Sequence, residues 1–329
     1  MISFFVRRLL LAILTMWVVS VLSYVIIQLP PGDFVDTYIS QQSASGSTVS
    51  AAEAQSLREL YGLDQPVWIQ YGKWITRILT GDFGESMEWR QPVKDVIGDR
   101  LWFTVLISVA ALLVTWGLAL PIGIYSAVRQ YSFGDYAFTL IGFVGLAVPN
   151  FLLALIIMYL SFRYLGANAG GLFSAEFELA PWSWAKLWDL IKHLPLPSVI
   201  LALGGTAQLI RIMRANLLDE LRRPYVVTAR AKGLPERWVV LKYPVRAALN
   251  PFASTVAYLF PYLVSGSVII SIVLSLPTVG PLLVRSLISQ DMFLAGTIVL
   301  LLGVLTVIGT FISDLVLMWV DPRIRHQMD

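Results

Sequence analysis

The chain has 329 residues, 57% of them hydrophobic and only 14% charged, with a formal net charge of +3. A soluble domain carries nearer a quarter charged residues, so a water-exposed globule is excluded. No cysteine is present, which excludes disulfides and thiolate metal sites.

The apolar residues are gathered into runs. A bilayer core needs about 20 apolar residues per helix. Leu9–Leu29 meets that length with no charge, and Leu101–Val128 and Tyr136–Phe162 follow. Leu194–Ile210 is shorter and is ended by Arg211. Phe252–Pro277 and Met292–Val320 complete the set, the last carrying one carboxylate, Asp314. Six transmembrane helices are therefore expected, an all-α membrane protein with a single transmembrane domain over residues 1–329. Backbone groups in lipid must bond within the protein, which leaves a helix bundle. The short alternating segments of a β-barrel are missing. Arg7 and Arg8 precede the first run as they would a secretory signal. Its length and its exit through Gln-Leu-Pro-Pro-Gly-Asp, without a small-x-small cleavage site, read instead as a retained anchor.

Six spans put both termini on one side. That side holds Arg7 and Arg8, the turn Arg129–Asp135, the segment 211–250, and the tail with Arg323 and Arg325. The segment 211–250 has nine Lys/Arg against three Asp/Glu, whereas the loop 30–100 has six basic and ten acidic residues. Basic residues near helix ends stay cytoplasmic, so both termini and the segment 211–250 are expected there.

The loop 30–100, on the other side, is expected to be folded. Ser50-Ala-Ala-Glu53 reads as a capping box, and Gly62 closes the helix it starts. Pro66 suits the first turn of a second helix. There Val67, Tyr71, Trp74, Ile75, Ile78 and Leu79 recur at helical spacing. This stripe fits either the membrane interface or packing against the protein's own bundle. Gln41–Ser50 reads as a flexible tip. The short Trp-rich stretch PWSWAKLWDLIKH, residues 181–193, reads as a second interfacial helix.

Absent motifs narrow the chemistry. Gly72-Lys73 lacks the preceding glycine of a phosphate-binding loop and is followed by Trp74, so the chain does not cradle ATP itself. The two histidines, His193 and His326, lie outside the spans, which leaves Ser265 and Ser267 without a base. Those serines read as small-residue packing positions. No His/Asp/Glu cluster has metal-ligand spacing, so no catalytic residue and no metal ligand is assigned. Asp314 lies about two turns from the end of its span, where a structural role outweighs a proton-relay role. Asn150, Gln208, Ser265, Ser267 and Ser271 are the polar positions that a translocation path would use, although hydrogen bonding between helices is the commoner role for such residues.

The segment Tyr225–Pro244 is basic and broken in the middle. Tyr225–Lys232 is helix-forming, Gly233 can take the left-handed end position, and Pro235 suits the start of a second helix. Small Ala229 and Ala231 flank Arg230 and permit close approach by another protein. Trp238, Val239, Val240 and Leu241 make the second helix look buried. Such a pair of short helices has the shape of a docking knob.

Tyr225-Val226 followed by Thr228-Ala229-Arg230-Ala231-Lys232-Gly233 resembles the coupling loop of ABC importer permeases, and more closely their peptide/nickel (oligopeptide and dipeptide) branch. The likeness runs through nearly the whole chain. The start FVRRLLLAILTMWVVSVLSYVIIQLPPGD, the stretch GLDQPVWIQYGKWITRILTGDFGES over Gly62–Ser86, and VPNFLLALI over Val148–Ile156 resemble further signatures of that branch. Val227, Thr228 and Ala229 stand where the general motif has Glu-Ala-Ala, and Val245 and Arg246 where it ends in Leu-Pro. Both departures are usual in the peptide branch. The insert Glu178–Pro197 is similar to members linked to sugar or oligosaccharide uptake.

The resemblance implies a type I importer permease with a folded extracytoplasmic loop between helices 1 and 2, resident in the bacterial inner membrane. It implies a non-enzymatic translocation subunit that imports peptides or similar small polar solutes by alternating access. Oligosaccharides are the alternative cargo, and an ATP-independent secondary transporter or an anchoring subunit are the alternative classes. Implied partners are a second permease, two ATPases that bind the ATP and Mg, an extracytoplasmic solute-binding protein, and membrane lipid. No nucleic acid and no cofactor of the chain's own are implied. Tyr225, Thr228, Ala229, Arg230, Ala231, Lys232 and Gly233 would carry the ATPase contact.

Overall fold

The computed structural model describes residues 2–165, 170–252, 254 and 268–320. In chain order the helices are α1 (Ile2–Ile27), α2 (Phe34–Ala44), α3 (Ala51–Tyr61), α4 (Val67–Leu79), α5 (Val93–Val128), α6 (Phe133–Ala147) and α7 (Asn150–Leu160). There follow α8 (Ala175–Glu178), α9 (Trp184–His193), α10 (Pro195–Leu221), α11 (Pro224–Ala231), α12 (Glu236–Lys242) and α13 (Pro244–Ala248). The last two are α14 (Val279–Ile288) and α15 (Met292–Val320). A two-residue hairpin, β1 (Glu85–Ser86) against β2 (Gln91–Pro92), precedes α5. The chain forms two compact units, residues 2–102 with 278–305, and residues 103–277 with the chain from 306 on.

Among the described residues, four helical stretches are long and apolar enough to cross a bilayer: Val6–Ile27, Val93–Val128, Trp184–Leu221 and Met292–Met318. A bent pair, Phe133–Ala147 with Asn150–Tyr164, makes a fifth. The expected run Phe252–Pro277 lies largely outside the described residues. Two expectations are corrected. Tyr136–Phe162 is not one straight span but turns by 98° at Val148-Pro149. Pro149 has no N–H to continue the α6 ladder, and it disfavours helix at the residue before it. The helix that holds the fourth run does not stop at Arg211, because α10 continues to Leu221. A charged side chain does not interrupt backbone bonding, and Arg211 rests on the ring of Phe143 at 5.6 Å.

In the unit of residues 2–102 and 278–305, local caps behave as expected. The Ser50 hydroxyl accepts from Glu53 N, and Gly62 closes α3 in the left-handed region. Pro66 sits one position earlier than expected, as the N-cap of α4. Helix α2 replaces part of the supposed flexible tip. Asp33 and Asp36 form a reciprocal capping box at its start, and Arg58 of α3 donates to Asp33 at 2.8 Å and Asp36 at 2.6 Å. The α4 stripe takes the packing alternative. Trp74 is buried with Tyr24, and Tyr71, Ile75 and Ile78 join the same cluster. Tyr71 also shares a 2.9 Å hydrogen bond with Ser20. Val67 and Leu79 are outside it and exposed, Leu79 at 82%. Gly296 of α15 provides the space, since a Cβ there would lie 2.9 Å from the Trp74 ring.

In the other unit, α5 carries Ala119, Gly123 and Ala127 at four-residue intervals. This small-residue ridge meets Leu209, Ile210, Met213 and Leu217 of α10. A Cβ on Gly123 would lie 2.6 Å from Met213 Cβ, so the two helices approach as closely as backbones allow. A second cluster joins Phe103, Ile107 and Ala111 of α5 with Ile200 and Leu201 of α10 and with Ile270 and Leu274. Helix α9 forms in the Trp-rich segment, with Trp184 and Trp188 exposed. Its Lys186 turns inward, donating to Ala180 O at 2.6 Å and lying over the rings of Phe173 and Trp182. Asp314 of α15 is half-buried.

Candidate functional site

Helix α10 hands the chain to a helix-break-helix knob. Pro224 sits in the first turn of α11, where its missing N–H costs nothing. Lys232 caps α11, and Gly233 follows with φ +72°. A Cβ at Gly233 would meet nothing within 4 Å, so its requirement is conformational and not spatial. Pro235 then caps α12. The break that the sequence implied is therefore present, with the residues in the expected roles.

The knob has its own small core. Val226 and Ala229 of α11 are buried against Val239 of α12, with Tyr243 packed alongside. Across the break, Arg230 Nη2 donates to Glu236 Oε1 at 2.6 Å, and Nε lies 3.1 Å from Oε2. The Arg230 hydrogen bond holds the Glu236 carboxyl below the ordinary glutamate range, although burial acts the other way. The Tyr225 hydroxyl donates to Glu220 at the end of α10. Next, α13 buries Val245 and Ala248 in the α10 cluster, together with Val240. The knob is thus packed against the α10 cluster through Val240, Val245 and Ala248.

This arrangement revises the sequence reading of individual side chains. Ala229 faces inward, leaving Ala231 as the exposed alanine, with Thr228 and Lys232 beside it. Arg230 is already engaged by Glu236 within the chain. Val239 and Val240 are buried as expected, but Trp238 and Leu241 are not, at 59% and 58% exposure. A seven-residue helix presents two faces, and only one of them can meet α11 and α10. Val227, Leu234, Trp238 and Leu241 are exposed apolar side chains on the knob.

A partly buried ion pair braces the base of this assembly. Arg214 of α10 donates from Nε and Nη2 to the two Asp135 oxygens of α6, both at 3.0 Å. Asp135 is 3% exposed and also accepts from Tyr131 N in the α5–α6 turn. A two-pronged guanidinium–carboxylate pair fixes distance and angle together. The sequence reading passed over this pair, yet a signal was present. Ser132-x-x-Asp135 before an apolar run is a capping pattern, and Ser132 Oγ does accept from Asp135 N at 3.2 Å.

Asn150 opens α7 directly after the bend and is half-buried, Gln208 of α10 is exposed, and Ser271 is buried. No hydrogen bond links these three among the described residues. Ser265 and Ser267 lie outside those residues.

A second constellation involves the Gly81–Ser86 signature. The Asp82 carboxylate accepts from Gly84 N at 2.9 Å, and Gly84 takes φ +77° beneath the Phe293 ring. Ser86 is fully buried and donates to Asp291 at 2.5 Å. Asp291 also accepts from Glu88 N and from Leu294 N, which caps the start of α15. Glu88 pairs with Arg285 at 2.6 Å, and both Arg285 and Arg100 lie over the Trp89 ring. The signature residues therefore lock the hairpin onto the head of a long apolar helix.

Comparison with known proteins agrees with these features. The family described as Binding-protein-dependent transport system inner membrane component matches residues 119–326, and its N-terminal companion family matches residues 1–108. The oligopeptide transport system permease protein AppB of Bacillus subtilis is 34% identical over 328 residues, covering 99% of this chain and all of that protein. The glutathione transport system permease protein GsiC of Salmonella typhi is 31% identical over 331 residues, again covering 99% of this chain and all of the relative. Matched along nearly its whole length in this way, the chain belongs to the inner-membrane permease components of binding-protein-dependent transport systems, the peptide branch of the ABC importer permeases.

Proposed function

We propose that this permease imports peptides or similar small polar solutes by alternating access, with α11–α12 as the handle on which two partner ATPases act. The observation that carries this reading is the knob itself: internally cemented, packed against α10, and carrying the exposed apolar side chains of Val227, Leu234, Trp238 and Leu241. An apolar patch rimmed by charge marks a protein contact. A push on α12 would pass through Val240 and α13 to α10. The Arg214–Asp135 pair would carry it on to the first turn of α6, the helix whose far end meets the bend at Pro149. ATP and Mg are held by the partners, and cargo arrives from an extracytoplasmic binding protein, with a second permease completing the pore. The termini and the knob face the cytoplasm, residues 30–100 face outward, and the run 252–277 supplies the sixth span. Relatives named for oligopeptide and glutathione transport support peptides over oligosaccharides as cargo.

The test is co-purification with the ATPases together with ATP-driven uptake, for Trp238→Asp and Gly233→Val chains that still insert. Both variants are expected to lose the ATPases and uptake together. Unimpaired coupling in both, or full flux through the chain with no ATPase present, removes the reading. The second outcome would install the secondary-transporter alternative.

A further inference from the structure

The unit of residues 2–102 and 278–305 contains a cleft of about 610 Å³ that has no part in the coupling mechanism. Small-molecule sites span roughly 300–1,000 Å³. Its walls come from α3, α4, the hairpin segment and the head of α15. Trp74, Met87 and Met292, all buried, contribute an apolar lining, with Phe293 beside them. Thioether side chains adapt to varied apolar partners, and aromatic rings offer flat contact area.

The remaining lining is charged, with both signs present. On α4, Lys73 and Arg77 stand one turn apart, so their charges repel unless an anion joins them. Among the described residues Lys73 bonds only the neutral Gln65 side chain, at 2.6 Å, and Arg77 lies 3.9 Å from Asp82 with both side chains more than half exposed. From α3 and the hairpin come Glu53 and Glu85. Neither carboxylate makes a hydrogen bond or ion pair among the described residues. Arg90 of the hairpin and Glu59 of α3 also line the cleft, but Arg90 lies over the Tyr38 ring at 5.7 Å and Glu59 accepts from Gln55 at 3.0 Å. The Lys73–Arg77 pair on α4 and the carboxylates Glu53 and Glu85, above an aromatic and methionine lining, match a zwitterion with apolar substituents.

We propose that this cleft is a binding site for short zwitterionic peptides, taking the α-carboxylate at Lys73 and Arg77 and the α-ammonium at Glu85 and Glu53. It would give the permease a cargo contact of its own, separate from the span interior. The proposal rests on the peptide-importer reading and on the outward placement of residues 30–100.

The test uses the full chain in lipid nanodiscs, without binding protein or ATPases, and titrates the tripeptide Ala-Phe-Ala by calorimetry. Saturable binding is expected. N-acetylation of the peptide should weaken it at least about tenfold, as loss of one charge-assisted bond would. C-terminal amidation should do the same. Glu85→Gln should weaken the free peptide but not the acetylated one, and Lys73→Gln should weaken the free peptide but not the amidated one. Absence of saturable binding overturns the proposal, as does binding indifferent to blocked termini and to both substitutions. If the substitutions reduce capture of the solute-binding protein while no peptide binds, the cleft is a protein contact and the proposal also fails. ATP-driven uptake in the reconstituted importer, measured on the same preparation, separates these failures from failure of the importer reading.

Discussion

Arg230 and Glu236 are both exposed, so their pair adds little to global stability. Its effect is local, in closing the break at Gly233. The Glu236 carboxyl is depressed, so its contribution is present while it is ionised and is lost as pH falls through its own pKa. Amide protection factors in α12 are therefore expected to be flat near neutral pH and to drop once pH passes below the ordinary glutamate range. Glu236→Gln should show the low protection at every pH. Protection that does not change with pH in the unaltered chain would contradict this. At Gly84 the constraint is both conformational and spatial, because φ is +77° and a Cβ would lie 3.2 Å from Phe293. Gly84→Ala should destabilise by about 1–3 kcal/mol, read as a lower unfolding temperature in detergent.

Between elements, single polar contacts decide how helices meet. Arg214 is the partner of a carboxylate whose side chain is only 4% exposed. Removing it with Arg214→Met strands that charge and should cost about 3–5 kcal/mol. Asp135→Asn on the Arg214→Met background should recover part of the loss, and thermal unfolding of the purified chains reads both. Asp291 has the corresponding place in the other unit. Asp291→Ala leaves the buried Ser86 hydroxyl and the Glu88 and Leu294 amides without their acceptor. A loss of at least about 2 kcal/mol is expected, with faster proteolysis within 81–92 as a second readout. Gly123→Leu would force the α5 ridge away from Met213, and reduced insertion or yield is the expected outcome.

For the molecule as a whole, length and hydropathy made the membrane class and most of the spans legible. Met292–Val320 coincides with α15, whereas α1 starts seven residues before Leu9 and ends two before Leu29. The ends and bends of the spans were less legible. Arg211 looked like a boundary because charge was read as exit from lipid, whereas α10 carries Arg211 and Arg214 onward to partners on α6. Helix α2 was missed because its polar sequence FVDTYISQQSA has weak periodicity, and it is held by Arg58 from another helix. At the knob the break was readable, but the inward turn of Ala229 and the outward turn of Trp238 were not.

The sequence by itself determined what depends on near neighbours. Apolar run length sets which segments suit a bilayer, and a side chain three residues away sets caps such as Ser50–Glu53. The absence of a Cβ lets Gly62 and Gly233 turn the chain. The ordered motifs also fixed the family. Only the tertiary structure decided which face of α4 is buried, how α11 and α12 are cemented, and where the cleft beside Trp74 opens. It also joined Arg214 to Asp135 across 79 positions and Ser86 to Asp291 across 205. Those pairings depend on the path of the whole chain. Each adds a distant partner to a buried carboxylate or hydroxyl that local bonds from Tyr131 and Trp89 only partly satisfy, and local propensity carries no information about such partners.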